Sequence, residues 1–220
     1  MITSSLELNG SLVQVVAMAQ RRHPDHFSRK ARQEGYAARS VYKLQEIDKK
    51  HRLFRSGQRV LDLGCAPGSW LKFIARKVGM KGRAGGIDRT FVTPMAPNVT
   101  TMAGDIFETP VQVLLDLAQG PYDVITSDMA PDTTGNRFTD HVRSVELCRR
   151  ALEVSLTLLS PGGAFVCKIF EGEDVQGFVA ELRAEFDSVK RVKPKSTRSQ
   201  SVEFFLVGLG KKGSAAEEAT

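Results

Sequence analysis

Three ionisable side chains stand at the ends of, or within, apolar runs. In Tyr122-Asp-Val-Ile-Thr-Ser-Asp128-Met-Ala-Pro131 an acid closes an apolar strand just before a proline turn. In Phe165-Val-Cys-Lys168-Ile-Phe170 a lysine interrupts a second strand, and in Ser201-Val-Glu203-Phe-Phe-Leu-Val a glutamate opens a third. Lysine and glutamate are rarely buried unless paired. Taken singly, each reads as a strand-end residue whose charged head reaches water. Two of them at neighbouring strand ends, facing a carboxylate on another, point instead to a salt-linked functional cluster. Its chemistry would be proton transfer and the orientation of a polar substrate group.

A second set surrounds the turn Asp62-Leu-Gly64-Cys65-Ala66-Pro67-Gly68-Ser69-Trp70. Gly64 and Gly68 let the backbone approach a ligand where a Cβ would clash. Asp88 closes the next strand, 20 residues past Gly68. There a carboxylate can accept hydrogen bonds from both hydroxyls of an adenosine ribose. Asp105, after Ala103-Gly104, either accepts an adenine amino group or caps the helix that begins at Val111. The turn alone has low specificity, because a nicotinamide-dependent dehydrogenase shares the plan. G-x-G-x-x-G and GK[ST] are both absent, however, and Pro67 occupies the middle of the turn.

These residues need a frame that brings strand ends together, and the hydrophobic pattern supplies one. Strands are expected over Arg59–Leu63, Ala84–Asp88, Val99–Met102, Tyr122–Ser127, Ala164–Phe170, Ser188–Val192 and Val202–Leu209. Helices are expected over Arg39–His51, Ser69–Val78, Val111–Ala118, Arg137–Leu159 and Val175–Phe186, with Ser69 near a helix N-terminus and Ser160-Pro-Gly-Gly163 ending the long helix. Residues 21–38 read as polar and irregular. Alternating strands and helices predict an α/β domain with a doubly wound, mostly parallel sheet, which binds ligands beyond the carboxyl ends of its strands. The division is a flexible extension over 1–20, one domain over 21–212 and a disordered tail over 213–220.

The 220 residues carry a net charge of +6. From Arg21 to Arg55 there are 11 Lys/Arg against 4 Asp/Glu, and Lys190, Arg191, Lys193, Lys195 and Arg198 form a second basic stretch without an acid. Each is either a solvated surface or a face that contacts phosphates. Cys65, Cys148 and Cys167 are odd in number and lack CxxC spacing, so a reducing compartment is expected, without disulfides or a zinc site. His23 and His26 lack the further ligands a metal needs and read as surface residues. No run approaches the roughly 20 apolar residues of a membrane span, and Leu12 to Met18 makes a poor signal peptide. A cytoplasmic location is expected.

The motifs together resemble the FtsJ-like family of bacterial large-subunit ribosomal RNA 2′-O-ribose methyltransferases. The resemblance runs from about Phe27 to Lys212. It is carried by Arg39-Ser-Val-Tyr-Lys43-Leu, Asp62 to Trp70, Ser127-Asp-Met-Ala-Pro131, Pro161-Gly-Gly-Ala-Phe-Val-Cys-Lys168 and Arg198-Ser-Gln-Ser-Val-Glu203. It implies a Rossmann-like fold whose seven-stranded sheet takes in its last strand antiparallel. It implies S-adenosylmethionine as cofactor, held by Gly64, Gly68, Trp70, Asp88, Asp105 and Asp128. It further implies a catalytic tetrad of Lys43, Asp128, Lys168 and Glu203, with Lys168 in the proton-accepting role and no metal. The implied substrate is a uridine ribose in 23S RNA, as naked RNA or in the large ribosomal subunit, and the implied state is a monomer. Cys65 and Ser69 replace residues usual in the family's turn but are equally small. Arg89-Thr-Phe-Val-Thr-Pro departs from the family, so the adenine pocket is the least defined part.

A ribose hydroxyl ionises far above neutral pH, so the reaction needs a group that aligns it and helps remove its proton. Desolvation and a second ammonium favour a neutral lysine amine; neighbouring carboxylates favour the charged one. A lysine acting as base and one that only orients the hydroxyl are both compatible with the sequence. The alternatives are a small-molecule O-methyltransferase, which would usually need a lid for which there is no insertion, and a non-catalytic RNA-binding protein, against which four tetrad positions argue.

Overall fold

The computed structural model describes residues 25–213. The expectations for 1–20 and for 214–220 fall outside them. The chain runs α1 His26–Gln33, α2 Val41–His51, β1 Arg59–Leu63, α3 Ser69–Val78, β2 Arg83–Asp88, β3 Val99–Ala103, α4 Val111–Asp116 and β4 Tyr122–Ser127. It continues with α5 Arg137–Leu158, β5 Leu159–Phe170, α6 Val175–Glu185, β6 Phe186–Val192 and β7 Glu203–Lys211. The seven strands form one sheet in the order β3-β2-β1-β4-β5-β7-β6. The pairs on the β3 side of β5 are parallel, and β7 runs antiparallel to both β5 and β6. This is the expected mostly parallel sheet with its last strand inserted against the rest. The chain reverses order at β1 and β4, which opens a crevice at their carboxyl ends.

Both faces of the sheet are covered, so successive strand residues are apolar on alternate sides. Val60, Val124, Val166, Phe205 and Val207 pack with α1, α2 and α3 through Ala31, Val41, Leu44, Ile47, Trp70 and Ile74. Leu61, Ile125, Phe165, Cys167 and Leu206 pack with α4, α5 and α6 through Leu114, Val145, Leu152, Phe178 and Leu182. Full burial of one such aliphatic side chain stabilises the fold by about 1.5–3 kcal/mol.

Two local differences from the sequence pattern have physical causes. First, α1 lies in the segment read as irregular. Asp25 caps it by accepting from Ser28 N at 2.9 Å, and Phe27 and Ala31 give it a narrow apolar edge. Second, β5 begins at Leu159, which pairs with Tyr122. Its register with β4 then shifts across Ser160–Gly163 before Val124 meets Ala164, so the Pro-Gly-Gly signal marks an irregularity and not the strand's start. Ser69 opens α3, as expected, without capping it. Gly68 holds the cap position at φ 98°, and the Ser69 hydroxyl accepts from Ala38 N at 2.7 Å.

Candidate active site

The Gly-rich turn leaves β1 at Gly64, which has φ 75°. A Cβ there would stand 2.5 Å from Met129 Cγ, so side chains are excluded both by the left-handed backbone and by the close approach of the segment after β4. Gly64 N and Cys65 N both donate to Ile87 O, at 2.9 and 3.1 Å, which folds the turn against the end of β2. Asp88 completes the join: Oδ2 accepts from Ala66 N at 3.0 Å and Oδ1 from Thr90 N at 2.8 Å. Each oxygen keeps lone-pair capacity for a further donor.

Beyond the turn lies a cleft of about 620 Å³ lined by Gly64, Ala66, Asp88, Asp105, Phe107 and Asp128, among others. Five carboxylates border it, those of Asp88, Asp105, Asp128, Asp132 and Glu146, against the two guanidinium groups of Arg89 and Arg143. The balance favours a cationic ligand. Asp132, Arg143 and Glu146 were not singled out from sequence. The 143 and 146 spacing on one face of α5, with Leu147 beside them, was the available signal.

Two of the residues expected to hold the cofactor sit differently. The Trp70 side chain does not line the cleft. It is buried in the core, 5.9 Å from the Phe205 ring, with its indole N–H donating to Ser40 O at 2.9 Å. An indole is too large and apolar to face an acidic cleft when α2 and β7 offer an apolar seat, so any ligand contact from this residue is left to its main chain. Gly68 also lies outside the main cleft, in a neighbouring groove. A Cβ there would come within 2.8 Å of Met95 Cε and 3.0 Å of Val92 Cγ1. Asp105 does line the cleft. It does not cap α4, whose cap position is Pro110; its Oδ1 accepts from Phe107 N at 2.9 Å.

Beside Asp128, which lines the cleft, the ionisable residues of the strand ends and of α2 form two ion pairs. Lys168 Nζ lies 3.0 Å from Asp128 Oδ1 and donates to the Asp128 carbonyl at 2.6 Å. Its alignment favours the carbonyl, and Asp128 Oδ1 is buried without a hydrogen-bond donor of its own. Lys168 is 8% exposed, so its ammonium is largely withdrawn from water. Lys43, on α2, forms a direct ion pair with Glu203, and its Nζ lies 5.9 Å from the Phe205 ring centroid. Lys168 pairs with Phe205 and Phe170 with Glu203 across β5 and β7. Lys168 and Glu203 are therefore diagonal neighbours on the sheet face that α2 and α3 cover. Helix α5 fixes this end of β5 from behind: Cys148 Sγ donates to Lys168 O at 3.0 Å and Ser144 Oγ accepts from Phe170 N at 3.0 Å.

Beneath the turn, Asp62 on β1 is 1% exposed. Its Oδ1 accepts from Thr126 Oγ1 at 2.7 Å, and its Oδ2 has no partner among the described residues. Burial, and secondarily the charges of Asp128 and Asp88, push its pKa up to about 8. Burial likewise pushes the neighbouring Cys65 thiol up.

The two basic stretches, far apart in sequence, converge beside the Lys43 pair. The Glu46 carboxylate accepts from Lys195 N at 2.7 Å and Ser196 N at 2.9 Å, and Arg39 donates to Ser196 O. Not all of the second stretch faces this way. Arg191 turns to the other face of the sheet, 3.7 Å over the Phe204 ring and paired with Glu171. Among the described residues, no group of three His, Cys, Asp or Glu side chains is arranged to hold a metal ion, and no helix is long and apolar enough to cross a membrane.

Comparison with known proteins bears on this arrangement. The family model of FtsJ-like methyltransferases matches residues 36–211. The chain belongs to this family. Among relatives of this FtsJ-like chain, the ribosomal RNA large subunit methyltransferase E of Desulfosudis oleivorans is 51% identical over 195 residues, covering 88% of this chain and 94% of the relative. The protein of the same name from Bdellovibrio bacteriovorus is 46% identical over 191 residues, covering 86% and 97%. A ribosomal RNA methyltransferase from Plasmodium falciparum superposes with a TM-score of 0.73 at 30% identity, covering 81% of this chain and all of that one.

Proposed function

We propose that this FtsJ-like methyltransferase uses S-adenosylmethionine to methylate a ribose 2′-hydroxyl in large-subunit ribosomal RNA, at a uridine of the 23S molecule. The observation that carries the reading is that the Lys168–Asp128 and Lys43–Glu203 ion pairs are carried by diagonal neighbours on β5 and β7, with Asp128 lining an acidic cleft. The names of the close relatives support the substrate class.

The cleft fits the donor on two counts. Its surplus of carboxylates suits a sulfonium with an α-ammonium group, and Asp128 Oδ1, buried 3.0 Å from the Lys168 ammonium but not hydrogen-bonded to it, has capacity for a further donor. When bound, the donor supplies an electrophilic methyl group. Gly64 and the main chain of residues 66–70 would carry its methionine end. Asp88 would accept from the ribose hydroxyls, Asp105 from the adenine amino group, and Asp128 from the ammonium. On the substrate side, Lys168 would hold the 2′-hydroxyl in line and take its proton. Lys43 and Glu203 would fix the sugar and steady the local charge. An enzyme acting at a 2′-hydroxyl must bind RNA. The basic surface of α1, α2 and the segment 193–198 would contact its phosphates. A ribosomal substrate also fits a cytoplasmic enzyme, and the cleft needs only one chain.

Single-turnover methyl transfer into large ribosomal subunits tests the assignment. Lys168→Ala should lower the rate by about 10²–10⁴-fold, the usual contribution of a positioned acid–base group, with donor affinity nearly unchanged. Asp128→Ala should lower both. Lys168→Arg should not restore the rate, because guanidinium stays protonated. Wild-type turnover in the arginine variant would leave Lys168 an orienting role only.

A further inference from the structure

The proposed RNA surface contains one site with an unusual occupant. Asp25 uses Oδ1 to cap α1, accepting from Ser28 N at 2.9 Å. Its Oδ2 is shared by two guanidinium groups that lie 159 residues apart in sequence: Arg39 donates to it directly, and Arg198 Nε stands 3.7 Å away. The two cations share one anion, so the trio keeps a charge of +1. They are close enough that Arg198 helps draw the Arg39 pKa down, second to burial, while Glu203 draws it up. That last influence places Arg39 within the field of the tetrad, and Arg39 lies four residues before Lys43.

Arg39 does not depend on Asp25 for its placement. Its other terminal nitrogen donates to Ser196 O, and its guanidinium lies 5.2 Å over the Phe27 ring. Its side chain is 17% exposed; that of Arg198 is 60% exposed and free to close on a ligand. A preset guanidinium beside an adaptable one matches a phosphodiester, whose oxygens take parallel N–H donors in a fork.

We propose that Arg39 and Arg198 form a single phosphodiester subsite next to the target ribose, and that Asp25 fills it in the RNA-free protein. This rests on the RNA-methylating reading above and assigns one backbone contact within it. A phosphate entering the subsite takes over the shared position of Asp25 Oδ2, while Oδ1 stays on the α1 cap. Asp25 thus sets a threshold against weak anions and lowers affinity for RNA by the strength of an exposed ion pair.

The decisive variant is Asp25→Asn. Asparagine caps a helix as well as aspartate does, so α1 is retained and only the competing charge is lost. Binding of a single-stranded RNA of about 20 nucleotides, the 0.7-per-phosphate case for single strands, is measured across a salt series. Asp25→Asn should tighten binding about two- to fivefold, the range of exposed ion pairs, and steepen the salt slope. Arg198→Gln should weaken binding and flatten the slope, and in its background Asp25→Asn, which then frees Arg39 alone, should help less. Unchanged or weaker binding by Asp25→Asn in the otherwise native protein would overturn the subsite. Wild-type protein that shows no salt-dependent RNA binding would remove the parent reading, and the subsite with it.

Discussion

At Asp88 one carboxylate holds two backbone amides and, in the proposed reading, also receives the donor's ribose. Each oxygen already accepts a backbone N–H, from Ala66 and from Thr90, and each has room for one more donor. Asp88→Ala should therefore weaken S-adenosylmethionine binding by about 10–100-fold, since hydrogen bonds to a charged group contribute about 1.5–3 kcal/mol. Asp88→Asn should keep part of the affinity, because one amide oxygen can still accept. Titration calorimetry measures both, and unchanged affinity in the alanine variant would remove Asp88 from the ribose role. The position of this residue was legible because a strand-ending acid 20 residues past a Gly turn has a fixed place in a doubly wound sheet. Trp70 was not legible in the same way. Its place in the motif says nothing of its rotamer, and the indole went to the apolar seat between α2 and β7. The role of Asp62 was not legible either, because a single acid in an apolar strand does not reveal whether its oxygens find partners.

Among the elements, α2 matters more than its length implies. It carries Lys43 toward Glu203 and, one turn later, Glu46 toward the Lys195 and Ser196 amides. The helix thereby grips both the start of β7 and the segment leading into it. Removing the grip should loosen Glu203 without touching the cofactor turn. Glu46→Ala should lower the rate of methyl transfer about tenfold, while donor affinity stays at the wild-type value; equal loss of both would mean a general unfolding effect. Helix α2 and the strands were legible from periodicity, to within two residues at their ends except at the start of β5. Helix α1 was not, because its apolar edge is narrow and its charged residues dominate the composition. The clasp between residues 46 and 195 joins segments about 150 positions apart, which no local pattern encodes.

At the scale of the whole molecule, the buried Asp62 couples stability to pH. Its folded-state pKa of about 8 lies above the ordinary carboxyl value. The folded protein then holds a proton that the unfolded chain releases between about pH 4 and pH 8. Stability from this group is full below the unfolded pKa and is lost as pH rises through the folded one. The Asp62→Asn variant should therefore gain stability relative to wild type between pH 5.5 and pH 9 in urea unfolding. A difference that does not move with pH would show that Asp62 is not buried as an acid. The fold as a whole, with its two apolar layers and the switch in strand order, exists to bring the ends of β1, β2, β4, β5 and β7 to one crevice. In the proposed function this crevice transfers a methyl group to a ribose of large-subunit ribosomal RNA. The most direct measurement is transfer of labelled methyl from S-adenosylmethionine into unmodified large ribosomal subunits, followed by alkaline hydrolysis of the RNA. A methylated 2′-oxygen cannot attack the adjacent phosphate, so the label should remain in an alkali-resistant dinucleotide containing uridine. Label in a base, in ribosomal protein, or in no product at all would contradict the account.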